Sequence, residues 1–206
     1  MENKRKKIGI SGGTFDPIHF GHLLVAESLR EKFQLDKILF IPTGLPPHKN
    51  LSNVTSAEHR YGMLKEAIST NNCFEASRIE IDRKGLTYTF DTLNELKNLY
   101  GHDTDLYFII GADVVHDILM WKNFEKVFTI CEFIAVLRPE HKKNEFDSAV
   151  EFLRSTYMAK IHVGDIPLIG ISSTMVRERV HGNKSIKYMV PECVEDYIKR
   201  NNLYKR

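Results

Sequence analysis

The chain has 206 residues, 42% hydrophobic and 27% charged, a balance that suits one globular domain with a core of its own. Its 29 Lys and Arg against 27 Asp and Glu leave a formal charge of +2, too small to point to a nucleic-acid partner. No apolar run approaches the roughly 18 residues that would cross a membrane.

Taken in chain order, the basic cluster Lys4 to Lys7 reads as a solvated edge before a first strand rather than a binding arm. Too few apolar residues come after it for a secretory leader. Strand-length apolar runs are predicted at Lys7–Ile10, Ile38–Ile41, Phe74–Ile81, Leu106–Ile110, Phe133–Leu137 and Lys160–Val163. Helical spacing links Leu23, Ala26, Leu29 and Phe33, then Tyr61, Leu64 and Ile68, then Phe90, Leu93, Leu96 and Tyr100, and last Val194, Tyr197 and Ile198. Strands apolar on both alternations are covered on both faces, the habit of parallel strands. Alternating strands and helices therefore predict an α/β, doubly wound, mainly parallel sheet in a single domain over 1–206, with helices after about 170 packed on it. Pro42 to Thr55 is the most loop-like stretch, and Pro139 to Asn144 is charged and exposed. Cys73, Cys131 and Cys193 have no metal-like spacing, and scattered thiols fit a reducing, cytoplasmic compartment.

In such a fold ligands gather beyond the carboxyl ends of the strands, so the chemistry is sought in the turn after each strand. After the first comes "SGGTFDPIHFGH", Ser11 to His22. Gly12 and Gly13 let a ligand approach the main chain. His19 and His22 come next, at a helix start, where backbone N–H groups favour anions. The stretch is neither a P-loop nor the GxGxxG dinucleotide fingerprint, and no further ligands at suitable spacing support zinc, so no metal residues are assigned. "ISSTMVR", Ile171 to Arg177, taken alone is an ordinary N-cap before a helix. Trp121, the sole tryptophan, taken alone is more readily core than a stacking surface.

Together these segments resemble the two signatures of the HxGH nucleotidyltransferase superfamily, in the right order and on the expected elements. Four stretches are similar to the bacterial nicotinate-nucleotide adenylyltransferases within it: "GGTFDPIHFGHL", "PPHK" at Pro46 to Lys49, "TYTFDTL" at Thr87 to Leu93, and "GADVVHDILMWKNFEKV" at Gly111 to Val127. Lys49 stands where the family often has Arg, and Phe124 where a second Trp is common.

The resemblance implies a Rossmann-like nucleotidyltransferase fold. It also implies attack of a mononucleotide phosphate on the α-phosphorus of ATP, with pyrophosphate leaving and Mg²⁺ accompanying ATP. A phosphate monoester is largely ionised at neutral pH, so no general base is sought. Alignment of two anions, and positive charge where oxygens gain charge, are what the site must supply. In that reading His19, His22 and Arg177 are catalytic. Gly12, Gly13, Thr14, Phe15, Gly111, Asp113, Ile171, Ser172, Ser173 and Thr174 hold ATP, Asp113 through a ribose hydroxyl or the metal-nucleotide. His48 and Lys49 receive the mononucleotide phosphate. The amides of Thr87, Tyr88 and Thr89 receive the nicotinate carboxylate, Trp121 stacks on the pyridine ring, and Arg138 completes the substrate side. Acid is preferred to amide because unpaired N–H donors match a carboxylate and not an NH2.

The expected partners are ATP and nicotinate mononucleotide, with neither nucleic acid nor membrane; the sequence is compatible with a homo-oligomer. Two alternatives stand beside this reading. One is another HxGH enzyme, a phosphopantetheine adenylyltransferase or a cytidylyltransferase. The other is a sensor that binds ATP without chemistry.

Overall fold

The structure is a computed structural model that describes residues 5–45, 54–101, 103–137, 142–167 and 169–205. Six strands form one sheet in the order β3-β2-β1-β4-β5-β6, with every neighbouring pair parallel. They are β1 (Lys6–Gly13), β2 (Lys37–Pro42), β3 (Phe74–Ala76), β4 (Thr104–Gly111), β5 (Glu132–Val136) and β6 (Ile161–Val163). The chain winds outward from β1 through β2 to β3, then returns to lay β4 on the other side of β1. Strand order therefore reverses between β1 and β4. A crevice opens at such a point because the crossovers on either side diverge.

Helices α1 (Phe20–Lys32), α2 (Ala57–Ile68), α7 (Ser173–His181) and α8 (Glu192–Arg200) supply one layer; α3 (Thr89–Tyr100), α4 (Ala112–Asp117), α5 (Phe124–Ile130) and α6 (Lys143–Tyr157) supply the other. The strand residues divide by alternation, as double-sided burial requires. Ile8, Ile10, Leu39 and Ile41 join Phe133 in the core beneath α3 to α6, while Ile38, Phe40 and Ile134 join the core beneath α1, α2, α7 and α8. β1 offers Gly9 to the second face. A Cβ there would fall 2.5 Å from Ile38 Cδ1 and 2.8 Å from Leu35 Cδ1, so the missing side chain is what lets those two pack flat on the strand.

Each predicted helical stripe is the buried stripe of its helix: Ala26 and Leu29, Leu64 and Ile68, Leu93 and Leu96, Val194 and Ile198 are all buried. One expectation changes. The run Phe74–Ile81 is strand only to Ala76, because the next residues coil into a turn. The Asp82 amide donates to the Arg78 carbonyl, and the Arg78 guanidinium bridges Asp82 and Glu58. In Pro139 to Asn144, expected to be charged and exposed, residues 139–141 lie outside the described residues, and Lys142, Lys143 and Asn144 are exposed; α6 begins at Lys143 and buries Phe146, Val150 and Leu153 further on.

Candidate active site

At the crevice, β1 ends in Gly12 and Gly13, directly opposite Ile41 and Pro42 of β2, while β4 ends in Gly111. A cavity of about 350 Å³ opens over these ends. Eight of the predicted residues line it: Gly12, Gly13, Thr14, Thr87, Tyr88, Thr89, Gly111 and Trp121. The remaining wall comes from residues outside the expected set, chiefly Thr43, Glu80, Phe108, Val114 and Lys122. Gly12 is held to its size by this wall, since a Cβ there would sit 3.3 Å from the Phe108 ring. Phe108 in turn meets the Trp121 ring edge-on at 5.9 Å, so one wall is aromatic.

Beside the Gly12–Thr14 end, the chain turns through Phe15 (φ 49°) and a cis Asp16–Pro17 bond into α1. His19 sits at the N-cap of α1 and His22 one turn on, their rings stacked with centroids 3.7 Å apart. Phe15 is 2% exposed and meets His22 edge-on at 5.1 Å. Its ring therefore faces the core, bracing His22 from below, and only its backbone could face a nucleotide. No acidic side chain occupies the first turn of α1, which leaves the positive end of its dipole unneutralised.

The second signature, 150 residues away in sequence, lands on the first. Ser172 caps α7 by accepting from the Met175 amide at 3.2 Å. Ser173 Oγ donates to the Pro17 carbonyl at 2.9 Å, and Arg177 Nη1 to the Asp16 carbonyl at 2.7 Å. Arg177 Nη2 also reaches Thr174 Oγ1 at 3.2 Å. The glycine inside the histidine motif explains how close this approach is. A Cβ on Gly21 would lie 3.4 Å from the Ile171 carbonyl and 3.0 Å from the His19 ring. Both imidazoles, the Arg177 guanidinium and the N-termini of α1 and α7 thus share one locality. They stand beside the cavity without lining it.

Sequence reasoning missed what holds this assembly together. Arg60 on α2 is 2% exposed and donates to three main-chain carbonyls: Thr55 at 2.9 Å, Thr14 at 2.8 Å and Thr43 at 2.8 Å. Burial pulls its pKa down, and the nearby Asp16 charge is the largest opposing influence. Asp16 itself is 3% exposed; its carboxylate accepts from Tyr204 Oη at 2.6 Å and from the Thr55 amide at 3.2 Å. Burial first, and then the Asp16 charge, push the Tyr204 hydroxyl far above the ordinary phenol range, so it serves as donor at any working pH. No local pattern announces these residues, because their partners are carbonyls or lie far along the chain.

On the substrate side, the Thr87 amide already donates to the Leu45 carbonyl at 2.9 Å, which removes it from the expected row of carboxylate donors. The amides of Tyr88 and Thr89, at the start of α3, remain on that wall. So does the buried Thr87 hydroxyl, which has no hydrogen-bond partner among the described residues. Asp113 is exposed in the first turn of α4 and does not line the cavity, although its neighbours Gly111 and Val114 do. His48, Lys49 and Arg138 lie outside the described residues. Among the described residues no group of three or more His, Cys, Asp or Glu is gathered as for a metal ion, and no helix is long and apolar enough to cross a membrane.

A family model described as cytidylyltransferase-like matches residues 10–179. A curated relative from Thermoanaerobacter sp. (strain X514), named "Probable nicotinate-nucleotide adenylyltransferase", is 50% identical over 97% of this chain and 95% of its own length. One of the same name from Moorella thermoacetica is 47% identical over 97% and 92%. Among solved structures, the Plasmodium falciparum nicotinic acid mononucleotide adenylyltransferase complexed with NaAD superposes with a TM-score of 0.80 at 26% identity, covering 97% of each chain.

Proposed function

This chain belongs to the cytidylyltransferase-like family, among its nicotinate-nucleotide adenylyltransferases, and from that premise we propose how its residues carry out adenylyl transfer from ATP to nicotinate mononucleotide, giving nicotinate adenine dinucleotide and pyrophosphate in NAD biosynthesis. The observation that carries the reading is one continuous lining. It joins the amide-rich end of β1, where a triphosphate can approach main chain, to a pocket walled by Trp121, Phe108 and Thr87–Thr89, where a flat ring bearing a carboxylate can sit.

The chemistry is set by that layout. The mononucleotide phosphate enters largely ionised, and its oxygen attacks the α-phosphorus in line with the departing pyrophosphate. What the protein contributes is alignment and positive charge. His19 and His22, stacked at the head of α1, face the α-phosphoryl oxygens, on which charge builds. Ser172 to Thr174 and the N-terminus of α7 receive the β- and γ-phosphates. Arg177, tied to the Asp16 carbonyl, holds that helix end against the histidine turn. A divalent ion accompanies ATP; we take it to be Mg²⁺, with the triphosphate oxygens as its main ligands. A cytoplasmic site of action and the absence of nucleic-acid and membrane partners complete the proposal.

The test is pyrophosphate release with ATP and Mg²⁺ and, in turn, nicotinate mononucleotide, nicotinamide mononucleotide, phosphopantetheine and no acceptor. Release is expected with the nicotinate form, far more slowly with the amide, and not otherwise. Release with phosphopantetheine, or with no mononucleotide at all, overturns the reading.

A further inference from the structure

The ring-binding end of the cavity contains a charge that the amide account of selectivity does not use. Lys122 lines the cavity and is the sole Lys or Arg among its described lining residues. Its Nζ lies 4.3 Å from the centre of the Tyr88 ring and 3.6 Å from Asp91 Oδ2. Tyr88 and Asp91 flank the start of α3, so the ammonium stands beside the amides of Tyr88 and Thr89. The ion pair is long, and its side chains are 48% and 38% exposed, which makes it a weak tether. At 3.6 Å the Asp91 contact is an ion pair rather than a hydrogen bond.

Among the same described lining residues there is one acid, Glu80. Its carboxylate accepts from Thr92 Oγ1 at 2.9 Å and from the Gly44 amide at 3.3 Å, so it is committed to holding the loop after β2 against α3. It still places a negative charge in this wall, near the Arg60 guanidinium, and a negative charge there disfavours an anionic ring. With the Thr87 amide spent on Leu45, fewer neutral donors offset that repulsion. A cation on the wall is what makes an acidic ring acceptable.

We propose that Lys122 is a specificity-determining residue. Its ammonium leaves Asp91 and pairs with the carboxylate on the pyridine ring, so that acid is told from amide by charge as well as by hydrogen-bond pattern. The proposal rests on nicotinate mononucleotide being the acceptor.

The test compares the parent enzyme with Lys122→Met, Lys122→Arg and Asp91→Asn, at saturating MgATP, with nicotinate and nicotinamide mononucleotides as acceptors. Lys122→Met should raise KM for the acid about tenfold, which is about 1.4 kcal/mol. KM for the amide should move less than about twofold, and added salt should weaken acid binding less steeply than in the parent. Lys122→Arg should recover most of the loss, because the charge is kept. Asp91→Asn should lower KM for the acid about twofold by releasing the ammonium. An equal change for both acceptors, or none for the acid, overturns the role of Lys122 while leaving the function standing. A parent enzyme that uses neither mononucleotide overturns both.

Discussion

Replacement of Arg60 by Met gives the sharpest test of how the site is held. The side chain is 2% exposed, and its three bonds tie together the segments that follow two neighbouring strands: Thr14 after β1, and Thr43 and Thr55 after β2. Bonds from a charged donor contribute about 1.5–3 kcal/mol each, so the gross loss is roughly 4.5–9 kcal/mol. The shorter, uncharged thioether recovers part of this, since it no longer carries the cost of burying a guanidinium. Removing a buried charge while a nearby opposite charge, here Asp16, stays behind costs about 3–5 kcal/mol in other proteins, and that is the net figure expected. For a chain of this size each kcal/mol lowers the melting temperature by about 2–4 °C, so Arg60→Met should melt roughly 6–20 °C below the parent. Thr14 and Thr43 both line the cavity, so KM for the mononucleotide should also rise, even at temperatures where the variant is fully folded. Arg60→Lys keeps the charge but reaches fewer carbonyls, and should fall between the two. Thermal melts by circular dichroism, with kinetics at about 20 °C, supply both readouts. A Met variant melting within about 2 °C of the parent, or a Lys variant indistinguishable from it, would refute the reasoning.

His22→Ala should lower kcat by on the order of 10²-fold or more with the fold intact by circular dichroism; an unchanged rate removes His22 from the chemistry. Tyr204→Phe deletes the 2.6 Å donor to Asp16 and should cost about 1.5–3 kcal/mol in urea unfolding. Gly44→Ala would place a Cβ 2.1 Å from the Glu80 carbonyl oxygen and 2.8 Å from its carbon. Because backbone cannot step aside, the loop must shift, at about 1–3 kcal/mol and with weaker mononucleotide binding by calorimetry. Glu27 carries a pKa held below its ordinary value of 4.5, chiefly by the Arg30 hydrogen bond. A depressed carboxylate stabilises the fold above its unfolded pKa and loses that contribution as pH falls through the folded one. The melting-temperature gap between parent and Glu27→Gln should therefore be constant from about pH 7 to 5.5 and close below about pH 4.5.

The parts of the fold that were legible are those where side chains repeat with the period of their element. The stripes of α1, α2, α3 and α8 are of that kind, and so are the strands, whose two alternations both read as apolar. α4 and α5, with six and seven residues, are too short for a stripe to accumulate, and the end of β3 is set by an Arg78 ion-pair network that no periodicity encodes. In the site the division is similar. Gly12, Gly13, Thr14 and Trp121, which residue type and motif single out, line the cavity. In the sequence Arg60 is one polar position on a half-buried helix, and Lys122 is indistinguishable from a solvated lysine.

The reason for that division lies in what the two distant signatures touch. Ser173 and Arg177 meet the first signature through the carbonyls of Pro17 and Asp16, and Ile171 meets it through the space left by Gly21. Arg60 likewise binds carbonyls, at Thr14, Thr43 and Thr55. A carbonyl is the same group in every residue, so such contacts leave a mark on the donor's identity and none on the acceptor's. The path of the main chain decides which carbonyl is within reach, and that path is set by the order of strands, with its reversal between β1 and β4. Once that reversal puts the β1 turn beside α7 and α2, Arg60 and Arg177 find main-chain carbonyls of that turn within reach. The proposed cradle for a triphosphate is therefore a property of topology as much as of motif, and exchanging Arg177 or Arg60 should disturb it without altering any group in the cavity lining.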